Sequence, residues 1–139
     1  MANQQRVEFS QLETGHEFPP ASYVLQPNLI ESYLTATQET YPAFQQEKLV
    51  PPTAVAAYAL AALAEGMAVP PGTIHTSQEI EATGLVHMND TITSHARVSS
   101  KRSRKNMEIM TIDINVTNQT GKTVLTGKTT FLSSPQINI

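Results

Sequence analysis

The stretch Thr53–Gly66, TAVAAYALAALAEG, decides how the rest of this 139-residue chain is read. Pro51 and Pro52 exclude helix before it, the Thr53 hydroxyl is placed to cap a first turn, and Gly66 offers a left-handed stop. Between Val55 and Ala64 there is no charge, and the only polar side-chain atom is the Tyr58 hydroxyl. A helix on a protein surface shows a polar stripe every turn. This one shows none, so the pattern predicts a helix buried on all sides. A membrane span needs about 20 apolar residues, more than this run supplies.

Upstream, residues 1–14 are polar and read as a flexible N-terminal segment, with one domain over residues 15–139. Gly15–Pro20 is rich in turn formers, and Ser22–Gln26 reads as a short strand. Pro27 suits the first turn of a helix over Asn28–Thr37, where Leu29, Ile30, Tyr33, Leu34 and Thr37 share a face. Glu39–Glu47 reads as irregular chain or a single helical turn interrupted by Pro42.

Downstream, Met67–Gly72 is a Pro-Gly turn, and strands follow. Ile74–Thr83 sets Gln78, Ile80 and Ala82 against Ser77, Glu79 and Glu81. Gly84–Asp90 is a connector. Thr91–Ser100 alternates Ile92, Ser94, Ala96 and Val98 with Thr91, Thr93, His95 and Arg97. Asn106–Asn118 aligns Glu108, Met110, Ile112, Ile114 and Val116, and Thr123–Ser133 aligns Leu125, Gly127, Thr129 and Phe131. Such alternation predicts antiparallel strands with one dry and one wet face. Asn106–Asn118 would extend about 40 Å if straight, so the sheet must twist and curl around something. The apolar helix supplies that axis. The prediction is an α+β fold of the hot-dog type, a curled antiparallel sheet around a central helix over about 53–66. Its exposed edge strand predicts pairing with a second subunit, a dimer.

The totals narrow the function. Hydrophobic residues make up 40% of the chain and charged residues 15%, with a net charge of −3, which argues against an extended nucleic-acid footprint. Cysteine is absent, excluding disulfides, a thiol nucleophile and thiolate metal sites. MANQQRVEFS lacks the basic start and apolar run of a secretion signal, so a cytoplasmic location is expected, with no membrane partner.

Three segments carry a family resemblance: Tyr33–Pro42 followed by Val50–Thr53, Gly72–Glu79 (GTIHTSQE), and Gly84–Arg97 (GLVHMNDTITSHAR). In this order the chain resembles the MaoC-like hot-dog family, in particular its dehydratase N-terminal type, from Gly15 to about Ser133. The resemblance implies binding of acyl thioesters of coenzyme A or acyl carrier protein. It also implies reversible hydration of a 2-enoyl thioester with no metal or redox cofactor. Active members carry approximately G-D-x-N-P-x-H before the helix, its Asp and His activating a water. Here the span is Gln38-Glu39-Thr40-Tyr41-Pro42-Ala43-Phe44: Pro42 is kept, Glu39 stands for Asp, Tyr41 for Asn and Phe44 for His. Phenylalanine moves no proton, and the extra methylene of Glu39 displaces its carboxylate by about 1 Å, an error worth about 10²-fold. The dyad is degenerate.

The remaining candidates follow from the residues. Glu39 is the available general base, and His75, just past the Pro-Gly turn, is the second catalytic candidate; a solvated loop carboxylate and a strand-edge histidine are the bland alternatives. Free N–H groups at the start of the helix (Ala54, Val55, Ala56) suit a thioester carbonyl, with Thr53 beside them in the substrate-binding set, and Tyr41 and Phe44 suit the wall of an acyl tunnel. Lys101, Arg102, Arg104 and Lys105 form a basic hairpin for coenzyme A phosphates or a carrier protein, unless it is simply wet surface. His87 and His95 have no partners at metal-ligand spacing, so no metal is expected. Three functions stay open: an enoyl-thioester hydratase or dehydratase homologue, a non-catalytic acyl-binding subunit of a heterodimeric dehydratase, and a hot-dog acyl-CoA thioesterase with Glu39 or Glu65 as base.

Overall fold

Strand β6 (Met107–Thr117) runs through the middle of a five-stranded antiparallel sheet in the order β2-β5-β6-β7-β4. The computed structural model describes residues 6–134. The neighbours of β6 are β5 (Thr91–Arg104) and β7 (Thr123–Ser133); β2 (Ala21–Val24) and β4 (Ile74–Ala82) lie outside them. Met110, Ile112, Ile114 and Val116 alternate onto one buried face of β6. Register carries that face across the sheet through Val98↔Ile112↔Thr129 and Ser94↔Val116↔Leu125. The sheet is therefore the alternating, one-face-dry sheet that the sequence predicts.

Helix α3 (Pro52–Glu65) lies on that dry face. Ala54, Val55, Ala56, Ala59 and Leu63 are buried, and the small side chains let helix and sheet come close. The expectation of burial on all sides is corrected: Thr53, Ala57, Ala61 and Ala64 are exposed. A methyl group facing water costs little, so an alanine stripe closes the outer face of the helix without a charge.

The ends of α3 also differ from expectation. Pro51 is the N-cap and no side chain caps the helix, so Thr53 lies inside the first turn. After Gly66 the chain does not turn at once. Met67–Ala68 forms β3, which pairs in parallel with β1 (Val7–Glu8). This overturns residues 1–14 as a flexible segment. Val7 N–H donates to Gly66 O at 3.1 Å, and Phe9 and Leu12, around a 3₁₀ turn at Phe9–Gln11, are fully buried. Residues 1–5 of that segment lie outside the described residues.

Two further helices lead into α3. The first, α1 (Pro27–Thr37), buries Ile30 and Leu34 and ends at Gln38, which is left-handed with φ 56°. The second, α2 (Pro42–Gln46), is one short turn started by Pro42. Segment 48–50 then zips onto 86–88, with Val50 N–H to Val86 O and Met88 N–H to Lys48 O both at 2.8 Å. Beside it, Asn89 takes φ 74°, a conformation asparagine tolerates better than most residues. Asp90 accepts from His87 N–H at 2.8 Å and from Gln119 Nε2 at 3.0 Å, fixing this connector to the β6–β7 turn.

Candidate functional site

Where α2, the start of α3 and the β4–β5 connector meet, they enclose a cavity of about 260 Å³. Phe44, Pro52, Val55, Ala82, Leu85 and Leu125 are among its walls, and every described lining residue is apolar or glycine. Phe44 is half-buried there, and its ring meets Tyr41 edge-on at 5.6 Å. Leu85, 70% exposed, stands at the mouth. The space suits an alkyl chain, whose transfer from water is worth about 0.8 kcal/mol per methylene.

The helix start offers less than expected. Ala54 and Val55 both donate their N–H groups to Pro51 O, at 2.9 and 3.2 Å. Pro51 and Pro52 have no N–H to give. Of the donors predicted to be free, Ala54 and Val55 are thus used within the first turn. Thr53 Oγ1 accepts a hydrogen bond from the Tyr33 hydroxyl at 2.9 Å. Val55 does line the cavity; Thr53, Ala54 and Ala56 do not.

Glu39 lies outside the cavity. It is exposed, and its Oε1 accepts from Tyr41 N–H at 3.0 Å, so its carboxylate caps its own loop. Tyr41 is 62% exposed. His75 sits toward the far end of β4, its ring 5.1 Å from that of Phe131 and its Nε2 3.1 Å from Gln78 Oε1. Gln78 Oε1 also accepts from the buried Thr129 Oγ1 at 2.8 Å. Seven positions separate His75 from Ala82, about 23 Å of strand, so one chain does not unite Glu39, His75 and the cavity.

The basic hairpin is farther still. Lys101–Arg104 belong to β5, and Lys105 and Asn106 form a two-residue turn with φ 50° and 65°. Lys101 turns inward, its Nζ 2.9 Å from Ser10 O and 4.0 Å from Glu13 Oε1; Arg102, Arg104 and Lys105 are exposed. The turn lies about 35 Å along the sheet from the cavity. Glu65 is exposed and does not line the cavity. Among the described residues no group of histidines and acids is arranged to hold a metal, and no helix is long and apolar enough to cross a membrane.

Two features escaped sequence reading. The first is a phenol cluster along α3. The Tyr23 and Ser94 hydroxyls share a 3.0 Å hydrogen bond, and the Tyr23 ring lies 5.8 Å from that of Tyr58. Burial pushes the Tyr23 hydroxyl above its ordinary value, the Ser94 bond opposes this, and Tyr58 adds to it. Burial and then Tyr33 raise Tyr58 likewise. The second is a larger groove, about 840 Å³, across the opposite face of the sheet. Its walls include Glu79, His95, Arg97, Asp113 and Lys128, with Lys128 Nζ 3.8 Å from Asp113 Oδ1. A charged groove open to water is a poor seat for an acyl chain, so the smaller apolar cavity is the candidate site.

The FAS1-like dehydratase domain region, as a family model, matches residues 13–127. The chain belongs to this family. As a FAS1-like dehydratase chain of the MaoC-like hot-dog type, it is similar in fold to several solved structures. The (R)-hydratase from A. caviae involved in PHA biosynthesis is 19% identical over 87% of this chain and 96% of its own, with a TM-score of 0.71. A MaoC-like dehydratase from Rhodospirillum rubrum is 16% identical over 91% and 95%, with a TM-score of 0.75. The C-terminally truncated HadBC (3R-hydroxyacyl-ACP dehydratase) complex from Mycobacterium tuberculosis gives 19% identity over 86% and 96%, with a TM-score of 0.70. At these identities the solved structures establish the fold. No curated protein matches the chain.

Proposed function

We propose that this FAS1-like dehydratase chain binds acyl thioesters of coenzyme A or acyl carrier protein, seating the acyl chain in the cavity beside Phe44. The observation that carries this reading is the cavity wall, apolar throughout its described residues and set against the start of α3. The thioester carbonyl is seated toward the positive end of α3, next to Val55 in the cavity wall. Reversible hydration of a 2-enoyl thioester is the reaction that the family resemblance implies. Among the described residues of a single chain, though, no acid–base pair reaches the cavity: Phe44 holds the histidine position, and Glu39 caps its own loop at 3.0 Å. Loss of such a group lowers rates by about 10²–10⁴-fold.

A second reading is an acyl-binding subunit whose partner carries the acid–base pair. It is favoured by Phe44 in place of histidine and by the two-subunit HadBC complex among the similar folds. Isothermal titration with octanoyl-CoA, alongside a crotonyl-CoA hydration assay, tests both readings. Saturable binding with turnover at least 100-fold below that of a dyad-bearing hydratase supports acyl binding without a complete site in one chain. Absence of binding overturns the proposal.

A further inference from the structure

The wet face of the sheet changes character at the end where β5 turns into β6. Register sets Arg102, Ile109, Leu132 and Ile74 side by side across β5, β6, β7 and β4, a row about 14 Å long. Ile109 alternates with the buried Met110, so the row looks away from the core. One step nearer the turn, Met107 stands opposite Arg104. Ile74 is 56% exposed and Met107 39%, while Ile109 and Leu132 are half-buried. Alternation calls for polar residues on this face, and farther in it has them: Thr111 and Thr130, their hydroxyls 3.3 Å apart, and then the charged groove. A contiguous apolar patch at the end of a wet face is a contact surface.

The patch is edged by cations. Arg102, Arg104 and Lys105 are exposed, and none of them forms an ion pair among the described residues. The chain as a whole carries −3, but its acids stand apart from this end. Glu108 is half-buried and belongs to the face of Met110, and Glu13 is met by the inward-turned Lys101. Asp113 and Glu79 lie about 13 Å or more along their strands from the row, beyond the screening length of about 8 Å at physiological salt. The field at the hairpin end is therefore positive.

Apolar side chains edged by free cations match a surface that is itself apolar beneath an anionic layer. A protein partner anchors by filling a pocket, and none of Ile74, Met107, Ile109 and Leu132 lines either cavity described above. An open patch without a pocket fits a plane. We propose that the β5–β6 hairpin end docks this chain on an anionic lipid bilayer. Arg102, Arg104 and Lys105 meet headgroup phosphates, and Met107 and Ile74 enter the boundary with the acyl tails. Either signal alone gives marginal attachment; the two together give reversible binding. The chain lies on the surface and does not cross it. The cavity beside Phe44 is about 35 Å away along the sheet, so docking leaves it clear of lipid. The docking is independent of what that cavity holds.

Co-sedimentation with vesicles tests this, comparing pure phosphatidylcholine with a two-to-one mixture of phosphatidylcholine and phosphatidylglycerol. The wild-type chain should bind the mixture, not pure phosphatidylcholine, and release as salt is added. Arg104→Glu replaces one positive charge by a negative one and should weaken binding about 30-fold, at about fivefold per charge. Lys122→Glu makes the same change in the β6–β7 turn, at the opposite end of the sheet, and should leave binding unchanged. Met107→Ser should weaken binding severalfold at every salt concentration, since apolar contact is not screened. No binding to the mixed vesicles, or equal weakening by Arg104→Glu and Lys122→Glu, overturns the proposal. So does capture of the chain by immobilised holo acyl carrier protein through Arg104 when the vesicles capture none.

Discussion

The Tyr33 hydroxyl donates a 2.9 Å hydrogen bond to Thr53 Oγ1, tying the face of α1 to the first turn of α3 across 20 residues of sequence. Two prolines precede that turn and no side chain caps it, so this bond is a side-chain tie on the start of the helix. Tyr33→Phe removes the donor and leaves the ring. In urea unfolding it should lower stability by about 0.5–1 kcal/mol, the range for one partly exposed hydrogen bond. An unchanged midpoint would mean that water replaces the bond without loss.

Gly127 is where β7 admits β4. A Cβ there would stand 2.7 Å from Glu79 O, a backbone atom that cannot swing aside. Gly127→Ala should therefore push β4 outward and destabilise the domain by about 1–3 kcal/mol, as overpacking does. Amide exchange should quicken along Ile74–Ala82 more than in β6. Uniform loss of protection across all strands would count against a local clash.

Much of this architecture was legible because it rests on period. Met110, Ile112, Ile114 and Val116 alternate without a break, and all four are buried. The α3 helix was legible from its prolines and its uncharged run, but its exposed alanine stripe was not, since hydropathy does not distinguish a buried methyl from one in water. Phe9 and Leu12 are isolated apolar residues in a polar segment; only the β1–β3 pairing buries them. For the site, the substitution of Phe44 for the family's histidine could be read directly. The cavity could not, because Leu49, Ala82 and Leu85 come from separate segments and carry no chemistry of their own. The place of His75 just past the Pro-Gly turn makes it a catalytic candidate, but the strand register sets it about 23 Å from the cavity in its own chain.

The raised Tyr23 hydroxyl sets an alkaline limit. The folded state disfavours its phenolate, chiefly through burial, so the folded chain holds this proton above the ordinary value of 10.0, where the unfolded chain has released it. Stability is then whole below pH of about 10 and falls as pH rises beyond it, because the folded state binds more protons. Urea midpoints for wild type and Tyr23→Phe, compared at pH 9 and pH 11, should converge on the alkaline side as the wild type loses its advantage. A constant difference between the two would show that the phenol is equally acidic in both states.

Phe44 and Leu85 separate acyl binding from folding. Phe44 is a half-buried cavity wall and Leu85 an exposed residue at the mouth, so neither is central to the core. Phe44→Ala should weaken octanoyl-CoA binding by about tenfold, which corresponds to about 1.4 kcal/mol of lost apolar contact. Leu85→Asp places a carboxylate where the alkyl chain enters and should weaken it more, while the thermal midpoint moves by no more than a few degrees. The weakening should grow with acyl length, since each methylene loses the same apolar wall. Equal effects on acetyl-CoA and octanoyl-CoA would instead locate binding at the nucleotide end of the ligand and move the acyl chain out of this cavity.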